Sequence, residues 1–282
     1  MTLLQNFKRD ISRSLNPDHF KLKKFQNKIE INIEVGNYAI KTATTKQEVI
    51  ASLQLRHLVF IEEFIGKKHP TGLDIDRYDT FFDHLVVIDK KSDTVIATYR
   101  MISSLFSEDF YSRSEFNLSD LAKMQGPFLE VGRACVHPDH RRSIVLNLLW
   151  RGISEYLNQS GCRVLMGCGS IKTESPAEAA LLTTYFKKMG YVDESCTFTP
   201  LVNYTMPGFE EALAKISAID EKRALELIPP LFLSYLKAGA IVGKVPALDR
   251  EFKCIDYLII LDKNKMDEMF GKRFRIVKNP EN

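Results

Sequence analysis

The chain lacks most of the features that mark a secreted, metal-binding or membrane-spanning protein. Its 282 residues include one tryptophan and five cysteines, and no two cysteines form a CxxC pair. An odd number of such cysteines argues against a disulfide framework or a zinc site and fits a reducing compartment. No apolar run approaches the ~18 residues that cross a bilayer, and the N-terminus has no signal-peptide h-region. We therefore expect a cytoplasmic protein without a metal.

A strong net charge and internal repeats are also missing. The formal net charge of +3 is too small to indicate nucleic acid as a partner by itself. Hydrophobic residues at 45% and charged residues at 27% are ordinary for a folded globular chain. No shift in composition marks a linker. We predict one domain over residues 31–282, preceded by an arm over residues 1–30.

The arm has a basic amphipathic pattern. Leu4, Phe7, Ile11 and Leu15 recur at helical spacing, and lysines and arginines lie off that stripe. A helix of this kind can lie on an anionic membrane surface, here the inner face of the membrane. The alternative is that its short apolar face packs against the rest of the protein.

The remainder of the chain alternates between strand and helix signals. Apolar alternation and short apolar runs predict strands over residues 38–43, 84–89, 94–102, 128–136, 163–168 and 255–261. Apolar periodicity, capping boxes and prolines predict helices that begin near Thr45, Ser143, Ser175 and Pro229. This order predicts an α/β fold with a central mixed β-sheet flanked by helices, and a helix and a strand as a C-terminal extension.

Several motifs follow one another in the order found in one acyltransferase family. They are Arg56-His-Leu-Val-Phe-Ile-Glu-Glu63, Asp79–Asp89 with Thr98-Tyr-Arg100, Phe128–Arg141, Tyr235–Ala240 and Asp249–Asp256. The ordered set resembles the lyso-ornithine-lipid synthases, which are N-acyltransferases of the GNAT superfamily. A more distant likeness is to acyl-homoserine-lactone synthases, which share an acidic loop and a strand Glu–Arg pair. The donor loop, Arg141-Arg-Ser-Ile-Val145, lacks the glycine of many GNAT proteins.

The resemblance implies an enzyme that moves a (3-hydroxy)fatty acyl group from acyl carrier protein to the α-amine of ornithine, giving lyso-ornithine lipid. It implies no cofactor, because the phosphopantetheine arm of the carrier is part of the donor substrate. Two alternatives stay open. One is another acceptor, as in N-acyl amino acid or acyl-homoserine-lactone synthases, and the other is a non-catalytic module that binds an acyl carrier or a membrane.

Glu130 and Tyr185 are the candidate catalytic residues. Glu130 lies in an otherwise apolar strand, where burying an unpaired charge is costly, so it could accept the amine proton. Alternatively it pairs with Arg133, which needs a bulge at Gly132 because residues three apart on a strand face opposite sides. Tyr185 lies in a segment that resembles the second GNAT donor motif. Its hydroxyl could protonate the leaving thiolate, or the side chain could be a core aromatic.

An aspartate-rich loop and nearby arginines are the candidate acceptor site. Carboxylates suit a cationic acceptor such as ornithine, and an arginine could pair with the acceptor carboxylate or with the loop. The predicted substrate-binding residues are Arg56, Asp74, Asp76, Asp79, Asp83, Arg100 and Arg133. A solvated loop charge is the alternative for each single aspartate. An α-amine has a pKa of roughly 8 and a side-chain amine roughly 10, so we expect acylation at the α-nitrogen.

The donor site is predicted where a strand leads into a helix N-terminus, whose N–H groups can hold a phosphate. The predicted donor-binding residues are Val136, Arg141, Arg142, Ser143, Lys187 and Lys188. The arginines and lysines would form a basic rim suited to acidic acyl carrier protein. A solvated turn is the alternative for the two arginines.

Overall fold

The computed structural model describes residues 26–68 and 70–264. Contacts divide the chain into two compact units, Met1–Met101 with Arg133–Gln159, and Ile102–Gly132 with Ser160–Asn282. Most of the predicted arm, residues 1–25, falls outside the described residues. Among the described residues, no helix combines the length and apolarity that crossing a membrane requires.

Strands and helices alternate along most of the described chain. The strands are β1 (Asn32–Val35), β2 (Tyr38–Thr42), β3 (Asp83–Asp89), β4 (Thr94–Ser103), β5 (Phe116–Asn117), β6 (Phe128–Val136), β7 (Val164–Ile171), β8 (Thr199–Pro200), β9 (Ile241–Val242), β10 (Ala247–Asp249) and β11 (Cys254–Asp262). The helices are α1 (Lys46–Arg56), α2 (Ser143–Ser160), α3 (Pro176–Lys188), α4 (Phe209–Ala214), α5 (Glu221–Leu227) and α6 (Pro230–Lys237). A π-helical segment, His57–Ile65, continues α1.

The first unit is built on antiparallel strands. β1 pairs with β2, β2 with β3, and β3 with β4, so the chain meanders through neighbouring strands. Helix α2 packs closely on them at Gly152, where an added Cβ would lie 2.7 Å from Leu85 Cδ2. Glycine therefore permits the helix to approach the strands.

Helix α1 begins as its sequence predicts. The Thr45 hydroxyl accepts the Glu48 N–H at 3.2 Å, and the Glu48 carboxylate accepts the Thr45 N–H at 3.1 Å. This is the predicted capping box, which satisfies two N–H groups that the helix leaves unpaired. Val49 and Leu53 on its inner face join Ala43 in the core.

The second unit contains the parallel pair. Phe128–Glu130 of β6 lies parallel to Val164–Met166 of β7, and β11 pairs antiparallel with β7 and β10. Helix α3 contacts this part of the sheet through Thr183, whose hydroxyl lies 2.8 Å from the Tyr257 hydroxyl. Parallel and antiparallel pairs with helices against them confirm the predicted α/β mixed-sheet fold.

The predicted elements agree with the structure in type and differ at their ends. The strand predicted over residues 128–136 has those bounds, whereas the one predicted over 163–168 runs on to Ile171. The elements that were not predicted are strands β1, β5, β8, β9 and β10 and helices α4 and α5. β1 alternates between polar and apolar residues, Asn32-Ile-Glu-Val35, but it is only four residues long, the short limit of a strand signal.

Candidate active site

Six of the predicted substrate-binding residues meet in the first unit as an arginine–aspartate network. Arg56, Arg100, Asp74 and Asp79 are buried, and Arg133 and Asp76 are partly buried. Arg56 donates from Nε to Asp74 at 2.8 Å and from Nη1 to Asp79 at 2.6 Å. Arg100 Nη1 donates to Asp76 at 2.6 Å and to Asp79 at 3.0 Å. Three guanidinium groups thus face three carboxylates.

Burial and the neighbouring arginines have opposite effects on the pKa values of these carboxylates. Desolvation by itself raises the pKa of Asp79, but attraction to Arg56 and Arg100 outweighs it and holds that pKa well below its usual range. The pKa of Asp74 is lowered in the same way, by Arg56 and Arg133. Of the two alternatives for the arginines, the structure therefore shows pairing with the aspartate-rich loop, whose carboxylates are already neutralised by arginines of the chain.

His84 lies beside the network and carries no charge at neutral pH. Burial lowers the pKa of His84 to about 4, although Asp79 acts to raise it. Its Nδ1 lies 3.3 Å from the Ser52 hydroxyl. A neutral imidazole here adds no positive charge to the three arginines.

Arg133 joins the network through an irregular backbone position. Its φ of 51° is positive, in a region that costs a non-glycine residue about 1–3 kcal/mol. Its Nε lies 3.6 Å from Asp74 Oδ2, and its Nη2 lies 3.5 Å from Asp76 Oδ2. Pairing of Glu130 with Arg133 would have needed an irregularity at Gly132; the positive φ lies one residue later, at Arg133.

Asp83 is the one predicted acceptor residue that lies apart from the network. Its carboxylate accepts the N–H groups of Lys28 and Ile29 at 2.8 and 3.1 Å and the Tyr156 hydroxyl at 2.9 Å. Burial raises its pKa. These contacts anchor the start of β3 to residues 28–29 and to helix α2, which indicates a structural role and corrects the prediction of substrate binding.

The donor loop is partly closed by its own hydrogen bonds. The Arg142 N–H donates to the His140 carbonyl at 2.7 Å, and the Val145 N–H donates to the Arg142 carbonyl at 3.0 Å. The prediction that the Arg142 amide faces a phosphate is therefore at odds with this structure. Helix α2 begins at Ser143, whose side chain is outside the described part of the chain.

The two arginines of this loop differ in their surroundings. Arg141 forms a bidentate ion pair with Glu63, with Nη1 2.6 Å from Oε1, and its Nε donates to the Val136 carbonyl at 3.3 Å. Arg142 is exposed and forms no ion pair within the described residues. Arg142 is thus the guanidinium of this loop that a donor could meet without displacing a carboxylate.

Tyr185, Lys187 and Lys188 occupy the last turn of α3. Tyr185 is buried, and burial raises the pKa of its hydroxyl, so the group keeps its proton at neutral pH. Lys187 lies 3.2 Å from Glu194, and Lys188 lies 2.6 Å from Glu221. The predicted basic rim is therefore weakened at both lysines, because exposed glutamates pair with them.

Glu130 is buried in the second unit and accepts three hydrogen bonds. Its Oε2 accepts the Tyr111 N–H at 2.6 Å, and its Oε1 accepts the Ser112 N–H at 2.7 Å and the Ser112 hydroxyl at 2.5 Å. These contacts anchor the Tyr111–Ser114 turn to β6.

A cleft of about 700 Å³ opens in the first unit. Helix α1, residues 92–96 and the side chains of His137 and His140 line it. None of the predicted site residues is among its lining residues.

Sequence reasoning did not select three buried carboxylates of the second unit, Glu115, Asp249 and Asp256. Asp249 and Asp256 bound the C-terminal motif and could have been chosen from it. Glu115 gives no such signal, since a single glutamate in a loop predicts solvent exposure.

The chain is similar to proteins of known family and known structure. A family profile described as "Acetyltransferase (GNAT) domain" matches residues 55–151, which contain the arginine–aspartate network and Glu130. The acyl-homoserine-lactone synthase LasI has a similar solved structure, with a TM-score of 0.44, 13% identity and coverage of 86% of this chain and 96% of that one.

Two proteins of known activity have a higher sequence identity to this chain. The chain is 31% identical over 244 residues to an L-ornithine N(alpha)-acyltransferase of Rhodobacter capsulatus, covering 82% of this chain and 92% of the relative. It is 32% identical over 248 residues to the protein of the same name from Rhizobium meliloti, covering 82% of each. The chain therefore belongs to the L-ornithine N(alpha)-acyltransferase family of GNAT proteins and is an acyltransferase.

Proposed function

We propose that the protein transfers a fatty acyl group from acyl carrier protein to the α-amine of ornithine, giving lyso-ornithine lipid. The observation that carries the proposal is the match to 92% of the length of a relative named L-ornithine N(alpha)-acyltransferase. A buried Glu130 carboxyl group and a protonated Tyr185 hydroxyl support it, because amide formation needs a proton acceptor and a proton donor.

The reaction forms one bond and breaks one. The neutral α-amine attacks the thioester carbonyl, the C–N bond forms, and the C–S bond breaks. Glu130 accepts the proton that the nitrogen loses, directly or through a water molecule. Tyr185 supplies a proton to the departing thiolate, and the carrier leaves with a free phosphopantetheine thiol. The α-amine has the lower reference pKa, so it is the nitrogen more easily deprotonated near neutral pH.

The direct test is product formation by the purified chain. With acyl carrier protein loaded with a 3-hydroxyacyl group, we expect mass spectrometry to detect an amide of ornithine acylated at the α-nitrogen. Glycine, serine and homoserine serve as competing acceptors, and acyl-coenzyme A as a competing donor. Absence of any amide with every acceptor and both donors would leave the non-catalytic module as the better reading, and amides with another acceptor alone would reject ornithine.

Carrier recognition should depend on Arg142. Its exposed guanidinium is unpaired within the described residues, so Arg142→Glu should raise KM for acyl carrier protein several-fold at low salt by repelling an acidic surface. Added salt should raise the wild-type KM for the carrier as well, since exposed charges are screened over ~10 Å at 0.1 M. A short pantetheine thioester should show a much smaller change.

Lys188→Glu is the matched control. Lys188 is already paired with Glu221, so its reversal removes less free positive charge than that of Arg142. Steady-state kinetics of both variants, with acyl carrier protein and with the pantetheine thioester as donors, measure the change in KM for each donor. Equal salt sensitivity for carrier and pantetheine analogue would indicate that Arg142 belongs to an ordinary solvated surface, and coenzyme A would then be the better donor candidate.

A further inference from the structure

An exposed ion pair joins the donor loop to the π-helical segment within the first unit. Arg141 Nη1 lies 2.6 Å from Glu63 Oε1, and Arg141 Nη2 contacts the second oxygen of the same carboxylate. The guanidinium group and the carboxylate therefore meet through two parallel hydrogen bonds. The side chains of Arg141 and Glu63 are 45% and 44% exposed, so the pair is accessible to a dissolved ligand.

The backbone around Arg141 fixes where its side chain begins. The Arg142 N–H donates to the His140 carbonyl at 2.7 Å, and Arg141 between them has a φ of −71° and a ψ of 65°. This is an inverse γ-turn. Arg141 Nε then donates to the Val136 carbonyl at 3.3 Å, at the end of β6. The turn and this bond hold Arg141 in place, and Glu63 occupies the edge of the guanidinium group formed by Nη1 and Nη2.

The neighbouring glutamate of the π-helical segment has a different partner. Glu62 Oε1 lies 3.3 Å from His57 Nδ1, and the two residues are five positions apart, the hydrogen-bond spacing of a π-helix. Glu62 therefore pairs within the segment, whereas Glu63 reaches the donor loop. Adjacent glutamates with different partners allow the contact with Arg141 to be tested against a closely matched control.

A donor phosphate that binds Arg141 needs the edge of the guanidinium group that Glu63 occupies. Phosphate, like carboxylate, binds arginine through two parallel N–H···O bonds, so the two anions cannot use that edge at the same time. An exposed ion pair is weak, because water and salt screen it. A phosphate can therefore displace the Glu63 carboxylate, but the displacement reduces the affinity with which the phosphate binds.

We propose that Glu63 competes with the donor phosphate for Arg141: Glu63 holds the guanidinium group in the free protein, and donor binding transfers it to the phosphate. The proposal rests on the proposed function, in which the donor carries a phosphopantetheine arm. Arg142 is exposed and has no ion pair within the described residues, so it can meet the donor before Arg141 is released. Glu63 thus sets how tightly the donor loop binds a phosphate.

Calorimetry on the full chain tests this proposal with free phosphopantetheine, and with pantetheine as the matched ligand that lacks the phosphate. Glu63→Gln should bind phosphopantetheine about two- to fivefold more tightly than wild type, the range that corresponds to the loss of an exposed ion pair. Its affinity for pantetheine should equal that of wild type. Glu62→Gln removes the adjacent carboxylate and keeps the contact between Arg141 and Glu63, so its affinity for phosphopantetheine should stay close to that of wild type.

The gain in affinity should depend on Arg141, because that is the group for which the two anions compete. In an Arg141→Gln background, Glu63→Gln should leave the affinity for phosphopantetheine unchanged, whereas a general effect of the glutamate charge would persist. A gain that persists without Arg141, or equal affinities of wild type and Glu63→Gln, would overturn the proposal. So would weaker binding by Glu63→Gln, which would make Glu63 a residue that positions Arg141 for the phosphate, and so would the absence of phosphopantetheine binding in both proteins.

Binding and acyl transfer distinguish this proposal from the proposed function. Tighter binding of phosphopantetheine by Glu63→Gln that depends on Arg141, without any amide product, would support the competition and reject the acyl transfer. Amide formation by a Glu63→Gln protein whose phosphopantetheine affinity equals that of wild type would do the reverse. The midpoint of urea unfolding of Glu63→Gln should stay close to that of wild type, so that a difference in affinity reflects the contact and not the fraction of folded protein.

Discussion

Replacing Glu130 with glutamine should lower turnover by roughly 10²–10⁴, the usual contribution of a general acid or base. Glutamine has nearly the same shape but cannot accept the proton of the attacking amine. It also places an amide NH₂ where one carboxylate oxygen was, so one of the N–H donors of the Tyr111–Ser114 turn would face a donor. Stopped assays of amide formation, with circular dichroism and urea unfolding of the same samples, measure both effects.

Ser112→Ala is the control for the anchoring role of Glu130. It removes the hydroxyl that donates to the carboxylate at 2.5 Å and keeps the carboxylate itself. If Glu130 accepts the proton of the amine, Ser112→Ala should retain most of the wild-type turnover. For Glu130→Gln, the fractional loss of turnover should then be larger than the fractional loss of folded protein. Equal turnover in wild type and Glu130→Gln would exclude Glu130 from the proton transfer. A Glu130→Gln protein that fails to fold would favour the anchoring role alone.

Replacing Asp79 with asparagine should cost the largest amount of stability, about 3–5 kcal/mol, the range for breaking a buried ion pair by removing one partner. Asp79 is 0% exposed and accepts hydrogen bonds from both Arg56 and Arg100. The substitution leaves the two guanidinium groups with less negative charge in a buried setting. Since domains are stable by only ~5–15 kcal/mol in total, the midpoint of urea unfolding should fall clearly.

The difference in unfolding free energy between wild type and Asp79→Asn should depend on pH. The folded-state pKa of Asp79 lies below its unfolded value of roughly 3.9, so the stability it contributes is present above that pH. That contribution decreases as the pH falls below about 4. The gap in unfolding free energy between wild type and Asp79→Asn should therefore be full at pH 7 and narrow at pH 3.

Glu63→Gln is the matched control, because it removes the carboxylate of an exposed pair with Arg141. Exposed ion pairs contribute about 0–1 kcal/mol to the free energy of unfolding, so the midpoint of urea unfolding should change little. An Asp79→Asn protein as stable as this control at pH 7 would contradict the view that the network is a core element. The six network residues would then be better candidates for a site that ligands enter.

The network changes what the aspartate-rich loop can do. Its carboxylates are paired with arginines from α1, β4 and β6, so a cationic acceptor would have to displace an arginine to bind there.

The sequence by itself determined the class of fold and the family. Apolar periodicity predicted most of the strands, and the Thr45–Glu48 box predicted the start of α1, because these signals depend on neighbours within a few residues. The unusual glutamate in an apolar strand also identified Glu130 as a residue under constraint. The groups that Glu130 holds, the amides of Tyr111 and Ser112, lie 19 and 18 residues away along the chain.

Only the tertiary structure decided which charges meet. Asp79 and Asp83 are four residues apart, yet Asp79 binds arginines whereas Asp83 binds the amides of residues 28 and 29 and Tyr156. Local periodicity assigns a residue to a face, but its partner depends on which distant segments the fold brings to that face. For the same reason, composition could not show that Glu115 is fully buried, since a single glutamate in a loop predicts solvent exposure.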